Sequence, residues 1–258
     1  MNINRDLVVR AKKRLLQMHY ESGVGHIGGN LSSLDALLAL FLSHISGKDL
    51  FILSKGHSAG ALYIALWSKG LLTDDDLKQF HKDETRLPGH PPASGISEVR
   101  FATGSLGHGL SLAAGSGLAR CLKKDDGHVY CLTSDGEWQE GSTWEALIFI
   151  CHHQLSNVTV LIDKNNLQGF GGTGSVASMD GLAEKIGGFN VELMSIDGHD
   201  IDAIQAALNK FATRPKIIIL ETRKGCGIGF MENKMEWHYL PLNQDQYQQA
   251  LSDLDSAL

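Results

Sequence analysis

The chain has 258 residues, 43% of them hydrophobic and 20% charged, with 29 glycines against 5 prolines, a mixture that excludes both disorder and collagen-like order. Its formal charge of −6 offers no general attraction to phosphate backbones, which argues against nucleic acid as a partner. No apolar run reaches the roughly 18 residues of a membrane span, the opening MNINRDLVVRAKKRLL lacks the apolar core of a secretory leader, and four scattered cysteines without a CxxC pair fit reduced thiols and a cytoplasmic location. Residues Asp6 to Tyr20 read as a helix. Ser32-Ser33-Leu34-Asp35 has the form of a capping box opening a second, with Leu34, Leu37, Leu38 and Phe41 on one face. Asp49 to Ser54 reads as a short buried strand, Ala59 to Lys69 as a helix, and Thr73-Asp74-Asp75-Asp76 as the cap of another. After a Pro-, Gly- and Ser-rich loop (Pro88 to Glu98) come a small-residue helix (Leu106 to Leu122), a strand (His128 to Thr133), a helix (Ser142 to His153) and a strand (Val158 to Asp163). A glycine-rich loop leads to strand Val191 to Ile196, helix Ile201 to Phe211, strand Lys216 to Glu221, a looser stretch, and a polar helix from Asn243 onward.

Short apolar strands alternating with helices predict an α/β fold, a parallel sheet flanked by helices on both faces. With no repeat or convincing linker, the expectation is a single domain over residues 1–258. Ligands of such sheets bind beyond the carboxyl ends of the strands. Asp135-Gly136 lies just past one predicted strand and Asn165-Asn166 just past the next, with a crossover helix between. Neighbouring parallel strands run about 5 Å apart, so a carboxylate and an amide carbonyl can converge there. Mg²⁺ takes oxygen ligands, usually one or two carboxylates with phosphate oxygens, and Ca²⁺ accepts the same donors. Asp135, the Asn165 side chain and the Leu167 carbonyl would form the protein half, with Gly136 letting its N–H approach a phosphate. Taken alone, the same residues serve equally well as ordinary turn formers.

The pairing of SDG (Ser134 to Gly136) with Asn165-Asn166 resembles the GDG…NN thiamine-diphosphate motif of the transketolase family. The resemblance runs along nearly the whole chain in order. GVGHIGG carries His26, SKGHSAG carries His57, LPGHPP carries His90, TGSLGHG carries Gly104 and Leu106, and EWHYLPL carries His238. Departures from the pattern are Ser134 for the first glycine, Ser105 for proline, His108 for glutamine, and RKGCG for the usual RKGKG; no function is carried onto Cys226. The resemblance implies a thiamine-diphosphate-binding fold, specifically its diphosphate-binding domain, with thiamine diphosphate and Mg²⁺ (Ca²⁺ as the alternative) as cofactors. It implies a metal site of Asp135, Asn165 and Leu167, and cofactor contacts from His57, Gly104, Leu106, Gly136, Asn165 and His238. Ketol transfer needs a proton taken from the donor's C3 hydroxyl and one returned to the acceptor, work for an imidazole of ordinary pKa near ~6.5. His26 and His238 are the candidates for it, His90 for holding the donor's terminal hydroxyl, and Glu140 for bridging to a partner's activating carboxylate.

Family members are usually more than twice this long. The expectation is therefore the N-terminal subunit of a split transketolase, active in carbohydrate metabolism with sugar or sugar-phosphate substrates. A C-terminal subunit would supply the pyrimidine-binding domain and the activating glutamate, in an α2β2 assembly. The alternatives are another split thiamine-diphosphate enzyme (an oxo-acid dehydrogenase component or a deoxyxylulose-phosphate synthase type) and a non-catalytic cofactor-binding scaffold. Two short motifs point elsewhere. GHSAG around Ser58 matches the G-x-S-x-G nucleophile elbow, with Asp197 or Asp200 and then His238 following in hydrolase order, but no oxyanion segment lies upstream. GFGGTG (Gly169 to Gly174) fits a dinucleotide fingerprint without the strand before it or the long helix after it.

Overall fold

The computed structural model describes residues 3–256. Helices α1 (Arg5–Ser22) and α2 (Ile27–Ser43) precede strand β1 (Leu50–Leu53). Then come α3 (Ala59–Ser68), the one-turn α4 (Asp74–Leu77), α5 (Gly109–Lys123), β2 (Val129–Ser134), α6 (Gly141–His152) and β3 (Val158–Lys164). A small antiparallel pair, β4 (Leu167–Gln168) and β5 (Gly171–Gly172), leads through α7 (Thr173–Val176) and α8 (Leu182–Gly187) to β6 (Glu192–Asp197). Helix α9 (Ile201–Asn209), β7 (Lys216–Glu221) and α10 (Gln244–Ser256) follow.

The five long strands pair in parallel in the order β1-β2-β3-β7-β6, as the alternation of strands and helices predicts. The central strands are apolar on both faces because helices cover both. Leu132, Leu161 and Ile218 point into a core shared with α1, α2, α3 and α9, while Cys131, Val160 and Ile217 point into a second core beneath α5, α6 and α8. Trp138 is fully buried in the second, and Trp144 packs edge-on against it, so neither is free to stack on a cofactor.

Helix α2 differs from the sequence-based expectation. It begins at Ile27, and Ser32 and Ser33 lie inside it with their hydroxyls turned back to the Gly29 carbonyl. No capping box forms there, because Asp35 is engaged with Lys12 and His199. Helix α5 starts at Gly109 rather than Leu106, since Gly104 (φ 130°) and Gly107 (φ 82°) hold the preceding loop out of helical conformation. The glycine-rich stretch read as loop contains α7 and α8. Among the described residues no helix is long and apolar enough to cross a membrane.

Candidate active site

The turns after β2 and β3 meet. Ser134 is in register with Asp163, and the Asp135 N–H donates to the Asp163 carbonyl at 3.1 Å. One Asp135 carboxylate oxygen accepts the Gly136 N–H at 2.8 Å; the other accepts the Asn166 N–H at 2.6 Å and the Thr173 hydroxyl at 3.3 Å. Asn165 is buried beside it, its Oδ1 accepting the Leu167 N–H at 3.0 Å. Burial first, then the neighbouring Asp163 carboxylate, pushes Asp135 up to about 6. Among the described residues no group of three or more His, Cys, Asp or Glu side chains is arranged to hold a metal, so any ion here relies on mixed oxygen donors.

A cavity of about 170 Å³ opens on this junction, and Asp135, Gly136, Asn165, Leu167, Leu106, His57 and His238 all line it. His26 and His90 stand close by. The His26 ring centroid lies 5.7 Å from that of His57, 5.9 Å from His90 and 5.2 Å from His238. Gly104 does not line the cavity. It sits against His90, where a Cβ would lie 2.6 Å from the ring, so this loop position requires glycine for room as well as for its φ. Glu140 is solvent-exposed at the start of α6, against Gly107 of the same loop.

The histidines do not keep the ordinary imidazole value. Burial, followed by the charge on Lys224, lowers His238 to about 3; burial, then His90 and Lys224, lowers His26 to about 4. Burial and Lys55 hold His57 well below its usual range, and burial and His81 lower His90. Burial is the main cause, and the neighbouring imidazoles and lysine ammoniums add to it. All four are neutral at neutral pH.

Several residues of the site escaped the sequence reading. Lys55 is paired with Asp163 under the site, both side chains essentially buried. Asp163 also accepts the hydroxyls of Ser32 at 2.6 Å, Ser33 at 2.9 Å and Thr222. Burial pushes the Asp163 carboxyl up, but Lys55 and these hydroxyls reverse the shift and leave it below its usual range. Asn30 ties two histidine loops together by donating to the carbonyls of His26 (2.8 Å) and His57 (3.1 Å). Glu137, also buried, accepts from Ser54, from the Ser134 N–H at 2.8 Å and from the Gly107 N–H at 3.1 Å, joining three loops. Lys224 is buried and donates to His238 Nδ1 at 3.0 Å, and none of the described carboxylates forms an ion pair with it. Burial and Lys55 lower it to about 8.

The decoy motifs resolve on geometry. Ser58 is fully buried, donating to the Gly29 carbonyl at 2.9 Å, and cannot act as a nucleophile. GFGGTG forms the turn and second strand of the small β4–β5 hairpin and the start of the one-turn α7.

The sequence profile described as "Transketolase, thiamine diphosphate binding domain" matches residues 23–255. The chain belongs to the transketolase family. It is 34% identical over 257 residues to one subunit of the apulose-4-phosphate transketolase from Actinobacillus succinogenes, covering 95% of this chain and 93% of that protein. It is 33% identical over 256 residues to one subunit of the 6-deoxy-6-sulfo-D-fructose transketolase from a Clostridium species, covering 95% and 93%. Among solved structures, transketolase from Campylobacter jejuni superposes with a TM-score of 0.88 at 29% identity, covering 99% of this chain but 43% of that one. The parallel sheet flanked by helices is thus shared with that structure.

Proposed function

We propose that this chain is the diphosphate-binding half of a two-chain transketolase whose site is completed by a second chain bearing the pyrimidine-binding domain and the activating glutamate. As a transketolase it is an enzyme of ketol transfer, moving a two-carbon unit from a ketose to an aldose with thiamine diphosphate as cofactor. The observation carrying the reading is the contact between the turns after β2 and β3, where Asp135 meets the Asn165–Leu167 segment at the floor of the cavity.

Two unbalanced charges support the fit of the cofactor. Lys224 is a buried cation that forms no ion pair with a carboxylate among the described residues, and Asp135 is a buried acid that burial and Asp163 push toward protonation. A diphosphate and a divalent cation bring the opposite sign to each. Magnesium suits a carboxylate, an amide and a carbonyl, and calcium uses the same oxygens. In this reading Asp135, the Asn165 side chain and the Leu167 carbonyl hold the ion, while His57, Leu106, Gly136, Asn165 and His238 hold the cofactor; Gly104, outside the cavity, instead makes room for the His90 ring. Bound thiamine diphosphate supplies carbanion stabilisation. The chain's own part is proton handling. His26 and His238, kept neutral, accept the proton of the donor's C3 hydroxyl and return one to the acceptor's carbonyl oxygen. His90 holds the donor's terminal hydroxyl, and Glu140 faces the second chain.

The second chain is supported by relatives of similar extent named as subunits, and by Phe170 and Tyr239, exposed apolar side chains that line the cavity. We place the complex, as an α2β2 assembly, in the cytoplasm. The substrates for which these relatives are named carry a phosphate or a sulfo group, so ketoses bearing a terminal anion are the donors proposed for this chain. The test is to assay fructose 6-phosphate, apulose 4-phosphate and 6-deoxy-6-sulfo-D-fructose as donors, with and without the second chain. Transfer is expected only with both chains and magnesium. Full turnover by this chain alone would refute the two-chain reading, and cofactor binding without turnover on any ketose would favour a scaffold.

Lys224 makes cofactor affinity pH-dependent. Its ammonium is the form that attracts a diphosphate, and before binding it loses its proton above about 8. Above that value binding must also take up a proton, so the dissociation constant rises as pH increases, by up to about tenfold per unit. Titrating cofactor into the assembled enzyme between pH 7 and 9.5 should show this rise, and Lys224→Met should flatten it. An equal slope in both proteins would remove Lys224 from the diphosphate site.

A further inference from the structure

A second, smaller cavity of about 50 Å³ lies beside the first, with His26, His57, His90, Asn30 and His19 among its lining residues. His19 belongs to α1 and has no part in the site as described so far. It is 1% exposed, and its ring packs against Phe80 with centroids 5.3 Å apart. Its Nδ1 lies 3.4 Å from the Val24 carbonyl oxygen, which requires the proton on Nδ1 and leaves Nε2 as a lone-pair acceptor. Among the described residues nothing donates to that Nε2. Burial lowers the ring to about 4, so the acceptor form persists at neutral pH.

Nε2 points toward Gly60, where a Cβ would lie 2.6 Å away, so the glycine makes room for the imidazole. Asn30 cannot supply the missing donor, because its amide hydrogens already serve the His26 and His57 carbonyls and its oxygen accepts the Ala61 N–H at 2.6 Å. Buried acceptors of this kind are normally met by water or ligand hydroxyls. A water needs roughly 10–15 Å³ and at least two polar partners, and the cavity offers more than that volume. Of the lining histidines, His26, His57, His81 and His90 all lack a described protein partner for their ring nitrogens; His26 is the second partner taken here, because its charge acts on His19 more strongly than that of His81.

We propose that His19 is a positioning residue for His26, its Nε2 accepting a hydrogen bond from a water in this cavity that in turn holds the His26 imidazole. This rests on the reading of His26 as a proton-transferring group. His19→Leu keeps apolar bulk against Phe80 and removes the acceptor. His19→Gln places an amide oxygen near the former Nε2.

The variants are compared in the assembled enzyme with thiamine diphosphate and magnesium, using whichever ketose of the panel above turns over fastest. His19→Leu should lower kcat about tenfold, less than the ~10²–10⁴ lost with an acid–base group itself, while KM and cofactor affinity stay within about twofold. His19→Gln should recover most of the loss. Combined with His26→Gln, His19→Leu should add nothing further, because both act on one imidazole. The proposal is overturned by native kcat in a folded His19→Leu protein, by a loss confined to KM, by failure of His19→Gln to rescue, or by additive effects in the double variant. Should His26→Gln alone leave turnover intact, the reading of His26 itself fails; should it abolish turnover while His19→Leu does not, only the role of His19 falls.

Discussion

Asp135→Asn is expected to weaken magnesium-dependent cofactor binding by at least about a hundredfold, roughly 2.7 kcal/mol, without unfolding the chain. Asp135 is the carboxylate at the junction of the two turns and would contribute the negative charge that holds the ion. Its two oxygens also accept from Gly136, Asn166 and Thr173, so Asp135→Ala would leave buried N–H groups unpaired at about 1–3 kcal/mol each. Asparagine keeps one acceptor. It also relieves the repulsion between Asp135 and Asp163 that helps push Asp135 up to about 6. In the cofactor-free chain Asp135→Asn should therefore fall within about 1 kcal/mol of the parent by denaturant unfolding, while Asp135→Ala falls lower. Cofactor titration with and without magnesium separates the two effects. Native affinity and turnover in Asp135→Asn would sink the metal assignment.

Much of the sheet was legible because β2, β3 and β7 are short apolar runs with helices between them, and only a doubly covered parallel strand is apolar on both faces. The insertion of β7 between β3 and β6 was not legible, since pairing order depends on contacts far apart in sequence. The start of α2 departs from its local sequence pattern for a related reason. Ser32, Ser33 and Asp35 form a capping pattern locally, yet each side chain is used by a tertiary partner: Asp163 for the serines, Lys12 and His199 for the acid.

The site divides the same way. His26, His57, His90 and His238 were visible in the order of their motifs, most of them with glycine alongside. Lys55, Asp163, Glu137 and Lys224 were not, because lysines and acids near strand ends ordinarily face solvent. The signals for two of them were SKGH and RKG, where a lysine directly precedes a loop glycine. Asn30 had no such signal, since its role is to bond backbone carbonyls of loops that only folding brings together.

Lys55→Met should cost about 3–5 kcal/mol of folding stability, because it strands the Asp163 carboxylate in a site with essentially no solvent exposure. The Ser32, Ser33 and Thr222 hydroxyls would remain, but neutral donors do not replace the ammonium. The pH dependence should reverse sign. In the parent, Asp163 lies below its ordinary value, so it contributes stability above the unfolded pKa that is lost as pH falls through the folded one. Without Lys55, burial outweighs the remaining hydroxyl donors, and the carboxyl rises above its unfolded value. The variant is then least destabilised in acid and progressively more so as pH increases. Lys55→Met with Asp163→Asn should recover much of the loss, since it removes the buried charge as well as its partner. Denaturant unfolding at pH 5 and pH 8 measures both effects. A loss below about 1 kcal/mol, equal at the two pH values, would mean that the pair does not hold the His57 and Asn165 loops against the sheet.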